Sequence, residues 1–454
     1  MRRGSADSSR PALTGPGGSG RALVASALLC WACAGTPPPE GTLPPEGTAP
    51  DVTPPRARTA PEVVAERPIT ETITSEPTVR VGVEVGVSSV AIMSTAGLRV
   101  LDGESGEVLE ASGEEILRFE ASEGTLLVES GGRIGDGRPR LVVEPLDPAI
   151  PIVLSGKRYH GAAELLVDPA RGIVVINRIG LEEYLRGVVP AEIGRRPPEE
   201  FDAVKAQAVA ARTYAISSLG SRDSLGFDVF ATVEDQAYGG VDLERAEIDR
   251  AVRETEGEIL TYDGAVVLAL YHSTCGGRTA TRYEVWAEPD LPYLRSVRDR
   301  AAGGDDFCAI SPRYTWRESW TPDEMNGLVR AELAGRLGVP PTSIGRILEI
   351  RVLSRTEEDR VDELEIAATG GRYVIRKNDI RFVLRSSEGR ILGSTDFRVL
   401  HGRVDANGVL VEGRGYGHGI GMCQWGAIGR ARAGQDYRQI LAAYYTGARL
   451  EKLY

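Results

Sequence analysis

From Val79 to Ile179 apolar and polar residues alternate in short runs: VRVGVEV, VAIMS, EILRFEA, GTLLVES, RLVVEPL, AELLVD and GIVVINRI. A period of two broken by Gly, Asp and Ser predicts short strands with one face turned to a core. At Leu181 the period changes: Leu181, Tyr184, Leu185 and Val188 recur at helical spacing, and a longer helix is expected over Glu199–Leu219. Pro197-Pro198 and the acids that follow mark its start, and Phe201, Val204, Ala208, Ala211, Ala215 and Leu219 form its apolar stripe. The far side carries Ala203, Ala206, Ala210 and Thr213, small enough for a second layer to cover.

A new pattern opens near Trp316. Thr321-Pro322-Asp323-Glu324 is a capping box with proline at the first helical position, which predicts a helix to Leu337. The strands ILEIRVLSR, DELEIAAT and RYVIRK follow, then a short helix over Ile380–Leu384. The chain returns through DFRVL and GVLVEG to GRGYGHGIGMCQWGA, Gly413 to Ala427, and a last helix, YRQILAAYY. The expected fold class is α+β: a β-rich unit over residues 79–180, a mixed α/β core from residues 181–313 and 394–454, and a small α+β insertion over 314–393. Alternate glycines from Gly413 to Gly421 leave one face of an extended segment bare. Another backbone element or a sugar can then approach closely, while Arg414, Tyr416 and His418 point the other way.

The N-terminus has Arg2, Arg3, Arg10 and Arg21 before the apolar run ALVASALLCWACA, Ala22 to Ala34. That run is short for a membrane span and suits the h-region of an export signal, assigned here to residues 1–34. Cleavage is expected after Ala32-Cys33-Ala34, or before Cys30 or Cys33 if the mature end is lipidated. Residues 35–78 are dense in Pro, Thr and Glu and poor in aromatics, the composition of an extended tether. The expectation is an exported protein of the cell envelope, with membrane contact only through the signal or a lipid anchor.

Composition narrows the partners. Hydrophobic residues make up 42% and charged residues 26% of 454, the balance of a soluble globular chain. A net charge of -12 disfavours nucleic acid and other polyanions and leaves room for an uncharged glycan. There is no P-loop, and the G-x-G spacing in GRGYGHG lacks the βα setting of a dinucleotide site, so no cofactor is expected.

Few residues offer chemistry. Beyond the signal the cysteines are Cys275, Cys308 and Cys423, and in an oxidising compartment they read as one disulfide, Cys275 to Cys308, with Cys423 a buried thiol. A rival metal site would draw on His272, Cys275 and Cys308, one ligand short of a structural zinc set. A Cys/His dyad is also conceivable, although no cysteine is singled out for activation. Glu192 lies among Val188, Val189, Pro190, Ala191 and Ile193, a setting that would raise a carboxyl pKa and suit a general acid. By local sequence alone a solvated acid is the commoner reading. Lys205 and Arg212 sit two turns apart at the edge of the long helix's stripe, where they either serve a carboxylate or extend to solvent.

Five segments in order, VVPAEI, AVKAQAVAARTYA, EDQAYGG, YHSTCGG and GHGIGMCQWGA, resemble the SpoIID/LytB family, which comprises stage II sporulation protein D, a lytic transglycosylase, and amidase-enhancer proteins. The resemblance runs over residues 79–454, less clearly in the insertion. It implies that Glu192 is the catalytic acid and that the substrate is peptidoglycan, as denuded glycan strands. Cleavage between N-acetylmuramic acid and N-acetylglucosamine would leave a 1,6-anhydro end, in sporulation or wall remodelling. The alternative within the family is a non-catalytic glycan-binding protein that stimulates a cell-wall amidase. With the resemblance, Lys205, Gln207, Arg212, Tyr238, His272, Ser273, Tyr416, His418, Gln424 and Trp425 become candidates for substrate contact or for orienting Glu192. Some sporulation relatives hold zinc in the stretch matching FATVEDQAYGG. Here that stretch has Phe230, Glu234 and Asp235, so no metal is carried over.

Overall fold

The computed structural model describes residues 75–130, 133–134 and 137–454. The expected export signal, the lipidation candidates Cys30 and Cys33, and the tether up to residue 74 lie outside the described residues. Among the described residues no helix is long and apolar enough to cross a membrane.

The period-two runs become two sheets of an α+β fold, antiparallel throughout except where the edge strand Val229–Phe230 runs parallel to Thr78–Val87. A seven-stranded sheet has the order Val229–Phe230, Thr78–Val87, Gly172–Gly180, Ala162–Asp168, Arg140–Pro145, Leu98–Asp102 and Val108–Ser112. Its central pair runs antiparallel from Thr78 opposite Gly180 to Val87 opposite Ile173. A six-stranded sheet has the order Lys157–Tyr159, Ile152–Leu154, Ser89–Met93, Leu117–Ser122, Thr125–Ser130 and Arg133–Ile134. Alternate apolar residues of both sheets, among them Val79, Val81, Ile92, Leu98, Phe119 and Leu165, meet in one buried cluster.

That cluster continues into the helices. Helix Leu181–Ile193 follows strand Gly172–Gly180 without a loop and buries Leu181, Tyr184, Leu185, Val188 and Val189. Helix Phe201–Ser218 is covered on both sides, as its small residues imply: from Ala203 to Ile216 every residue but Lys205 is buried. Ile248, Leu260, Ile428 and Tyr444 belong to the same cluster. The β-rich unit and the mixed core, distinct in sequence style, therefore share one hydrophobic core.

A second core gathers Trp320, Met325, Leu333, Ile350, Leu364, Ile380 and Phe397 under the sheet Ile347–Arg355, Val361–Ala368, Gly371–Arg376. The helix that starts at Pro322 reaches Leu337 but passes through a π turn at Met325–Val329. Strand Val409–Arg414 pairs with Thr315–Trp320 and sends Val409 and Val411 into this second core, which therefore extends past the expected boundary at residue 393.

The glycine-rich segment departs from expectation in conformation. Regular pairing stops at Arg414, and Gly415, Gly417, Gly419 and Gly421 have φ of 76°, 117°, 91° and 72°. The segment winds through left-handed positions and is not a bare-faced strand. The expected close approach does occur: a Cβ on Gly421 would lie 2.0 Å from the Leu270 carbonyl oxygen. Immediately beyond, Tyr271–His272 pairs in parallel with Met422–Cys423, and helix Gln424–Arg432 begins. Gly421→Ala should lower stability by about 2–3 kcal/mol through combined strain and overlap. The check is a urea midpoint that falls while the denaturant slope stays unchanged.

Candidate functional site

Glu192 sits in the last turn of helix Leu181–Ile193, which Gly194 ends with φ 70°. Three segments distant in sequence converge on its carboxyl. The Ala237 N–H donates to Oε1 at 2.8 Å, and the Gln424 amide donates to Oε2 at 3.2 Å. The Tyr271 hydroxyl also acts on it through a hydrogen bond.

Each partner is braced. Asp235 anchors the loop that presents Ala237: its Oδ1 accepts from the Tyr214 hydroxyl at 2.7 Å and from Arg222 at 2.9 Å, and its Oδ2 from the Phe230 N–H at 2.8 Å. Gln236 is fully buried and donates to the Tyr271 hydroxyl at 2.9 Å and to the Ala211 carbonyl at 3.2 Å, while accepting from the Tyr184 hydroxyl at 3.1 Å. Gln424 also donates to Gln207 Oε1 at 3.3 Å. Glu192, Ala237, Tyr271, Ser273 and Trp425 all keep some exposed surface, so the residues around the buried carboxyl border solvent.

Burial pushes the Glu192 pKa up, and the hydrogen bonds from Ala237, Gln424 and Tyr271 pull it partly back. The negative end of the helix dipole acts in the same direction as burial. Among the described residues, neither a cation nor a second carboxylate is among the groups that shift it. The site can hold a proton on an isolated carboxyl and, once that proton leaves, stabilise the carboxylate with neutral donors.

The family model for stage II sporulation protein matches residues 170–262, and a domain of unknown function matches residues 306–421. An uncharacterized protein of Brachyspira hyodysenteriae is 31% identical over 346 residues, which cover 73% of this chain and 83% of that protein. The chain belongs to the SpoIID family. Another relative, the amidase enhancer of Bacillus subtilis, is 30% identical over 326 residues, or 66% of this chain, but the match covers only 45% of that longer protein. Stage II sporulation protein D of Bacillus subtilis is 28% identical over 294 residues, 61% of this chain and 76% of the relative. The segment matched by the SpoIID model contains Glu192, Gln207, Gln236 and Ala237; Tyr271 and Gln424 come from outside it.

The structure sorts the other candidates expected of a SpoIID protein. Lys205 pairs with Glu254 at 2.5 Å and lies over the Phe201 ring. Arg212 is fully buried and grips Glu182 through two 2.7 Å bonds, with further bonds to the Glu258 and Val252 carbonyls. Neither cation is brought to Glu192, because each finds a carboxylate on a neighbouring element first. Tyr238 is core: its ring packs on Tyr184 and Tyr159, and its hydroxyl donates to Asn177 at 2.9 Å. Gln207 is fully buried and touches Gln424, so it supports the site from behind.

His418 donates from Nε2 to the Tyr271 carbonyl at 2.9 Å and accepts the Ile420 N–H on Nδ1 at 3.1 Å. Burial, with Arg381 nearby, pulls its pKa down to about 3, so it stays neutral and frames Tyr271. His272 Nδ1 bonds the Ile420 carbonyl at 3.1 Å, and burial holds its pKa well below the usual range. Tyr416 lies under the Arg313 guanidinium and lines a separate cavity with Trp316, Glu318 and Arg390. Trp425 stacks with Arg196 and donates its backbone N–H to the Ser273 carbonyl at 3.0 Å. Of the ten expected helpers, Gln424 is the one whose side chain reaches Glu192.

Cys275 and Cys308 are free thiols with sulfurs 3.5 Å apart, well beyond the about 2.05 Å of a disulfide. The stretch that carries zinc in some relatives does not fit a metal here: both oxygens of Asp235 are engaged by protein donors, and Phe230 packs on Phe227.

Tyr271, Gln236 and Ala237 had no individual role by sequence reasoning. They lie inside quoted segments, but a backbone N–H and a relayed hydroxyl leave no residue-type signal. Two outcomes follow from the geometry. Arg212→Met should cost about 3–5 kcal/mol by leaving Glu182 without its partner, read as a lowered melting temperature at every glycan concentration. Glu192→Gln should keep or raise the melting temperature at neutral pH. The folded state holds the Glu192 proton more tightly than the unfolded chain, so that stabilisation is complete below the ordinary carboxyl pKa and lost as pH rises through the raised folded value. A melting series across that window should show the slope in the parent and its loss in the variant.

Proposed function

We propose that this chain is an exported lytic transglycosylase of the cell wall that cleaves denuded peptidoglycan strands between N-acetylmuramic acid and N-acetylglucosamine. The observation that supports it is the isolated carboxyl of Glu192, raised in pKa and held by neutral donors. The common glycoside hydrolases use a second carboxylate, as base for water or as nucleophile. A transglycosylase does not, because the sugar's own 6-hydroxyl is the nucleophile.

In this reading protonated Glu192 gives its proton to the glycosidic oxygen as the bond to C1 of the muramic acid breaks. The carboxylate then takes the proton of the 6-hydroxyl as O6 bonds to C1, closing the 1,6-anhydro ring and restoring the acid. Ala237 and Gln424 bond the carboxylate during the interval when it carries charge. Trp425 and Ser273, partly exposed beside Gln424, offer surface for a sugar ring.

A second reading, a glycan-binding protein that stimulates a separate wall amidase, is supported by the 30% identity to the amidase enhancer. Incubating the full chain with denuded strands separates the two. Anhydromuramic products by mass spectrometry are expected, with Glu192→Gln slowing their formation by at least about 100-fold while strands still bind. Strands that bind and stay uncut by the parent protein would leave only the enhancer reading. Tyr271→Phe removes a hydrogen bond that lowers the Glu192 pKa. The high-pH limb of the activity profile, where Glu192 loses its proton, should therefore move to higher pH.

A further inference from the structure

Next to the paired strands Tyr271–His272 and Met422–Cys423, four acidic or thiol side chains, Cys423 among them, converge in the interior. One ligand atom each from Cys275, Asp299, Cys308 and Cys423 lies within 4.8 Å of every other, and all four residues are buried. We propose that these four residues form a structural site for one soft divalent ion of the zinc class, distinct from the stretch that holds zinc in some relatives.

The dimensions fit a mononuclear site. Metal–sulfur bonds of about 2.3 Å in a tetrahedron place neighbouring sulfurs about 3.8 Å apart. Here the Cys275 and Cys308 sulfurs are 3.5 Å apart, and the Cys275 sulfur is 3.6 Å from Asp299 Oδ2. Three thiolates with one carboxylate favour zinc over hard cations such as calcium or magnesium.

The surroundings are those of metal-bound sulfur. Cys423 Sγ accepts N–H bonds from Cys275 and Gly426, each at 3.2 Å. Gly276 and Gly277, with φ of 77° and 103°, turn successive amides toward Cys308, a nest suited to an anion. Arg430 and the Tyr444 hydroxyl hold Asp299 Oδ1 at 3.1 and 2.8 Å, orienting the carboxylate from outside as second-layer partners of a ligand do. Gly426 makes room for it, since a Cβ there would lie 2.0 Å from Asp299 Oδ2.

Electrostatics points the same way. Three thiols and a carboxylate share a dry space with one guanidinium, so loss of the thiol protons leaves excess negative charge that one divalent cation would offset. A divalent ion would displace the thiol protons and bind their sulfurs. It would tie residues 275, 299–308 and 423 into one unit, and Cys423 immediately precedes Gln424, whose amide reaches Glu192.

The test uses the full chain with Cys30 and Cys33 replaced by serine, so that only these three thiols remain. After zinc loading and desalting, about one equivalent of zinc per chain is expected by elemental mass spectrometry. Cobalt substituted for zinc should give thiolate charge-transfer absorption and the visible bands of a tetrahedral ion. Cys308→Ser should weaken zinc retention by at least about 100-fold, more than the loss of an outer partner. If that variant does not fold, the cobalt spectrum of the three-cysteine protein decides alone. The proposal is overturned by zinc below about a tenth of an equivalent with three alkylatable thiols, or by a disulfide among them in the unreduced protein. None of these readouts depends on whether Glu192 is catalytic.

Discussion

Two residue pairs of parallel strand, Tyr271 with Met422 and His272 with Cys423, carry the organisation of the candidate site. They join segments that belong to different parts of the sequence and bring the Tyr271 hydroxyl and the Gln424 amide to one carboxyl. The pairing is short, so its geometry is secured from its flanks. Gly421 lets the backbone close against Leu270, and His418 ties the Tyr271 carbonyl to the winding glycine segment. Helix Gln424–Arg432 then starts without a connecting loop, which fixes where Gln424 points.

The contrast between Glu192 and Glu182, almost three turns apart on one helix, shows how environment divides labour between identical side chains. Glu182 is matched by a fully buried guanidinium and contributes to the scaffold. Glu192 is dehydrated without a cation, and its charge is supported only by an N–H and neutral side chains. A paired carboxylate has no reason to keep a proton; an unpaired buried one does. The buried Arg212–Glu182 ion pair thus stands apart from the carboxyl that would have to change protonation state.

The same economy of partners explains which sequence expectations translated into structure. Lys205 and Arg212 look available on a helical wheel, yet the helix Ala246–Glu254 and the helix Leu181–Ile193 present Glu254 and Glu182 to them. Tyr238 looks like a sugar platform, but its hydroxyl has Asn177 as a buried partner and its ring has two tyrosines. Long and amphipathic side chains reach several neighbours, so their one-dimensional position says little about which neighbour takes them.

Local periodicity determined the strands from Thr78 to Gly180, the helices at Leu181 and Phe201, and the helix start at Pro322, because each depends on residues a few positions apart. Sequence also singled out Glu192, through its apolar neighbours and the family motif, and Gln424 within its motif. Tertiary structure decided the rest. It merged the β-rich unit and the helical core into one interior, carried the second core past its expected end, and turned a supposed disulfide into three free thiols beside Asp299. It also supplied the Ala237 N–H and the Tyr271 hydroxyl, groups whose role depends on where a loop and a short strand pair come to rest. Periodicity records which face of an element is buried; which distant group meets it there is set by packing of the whole chain.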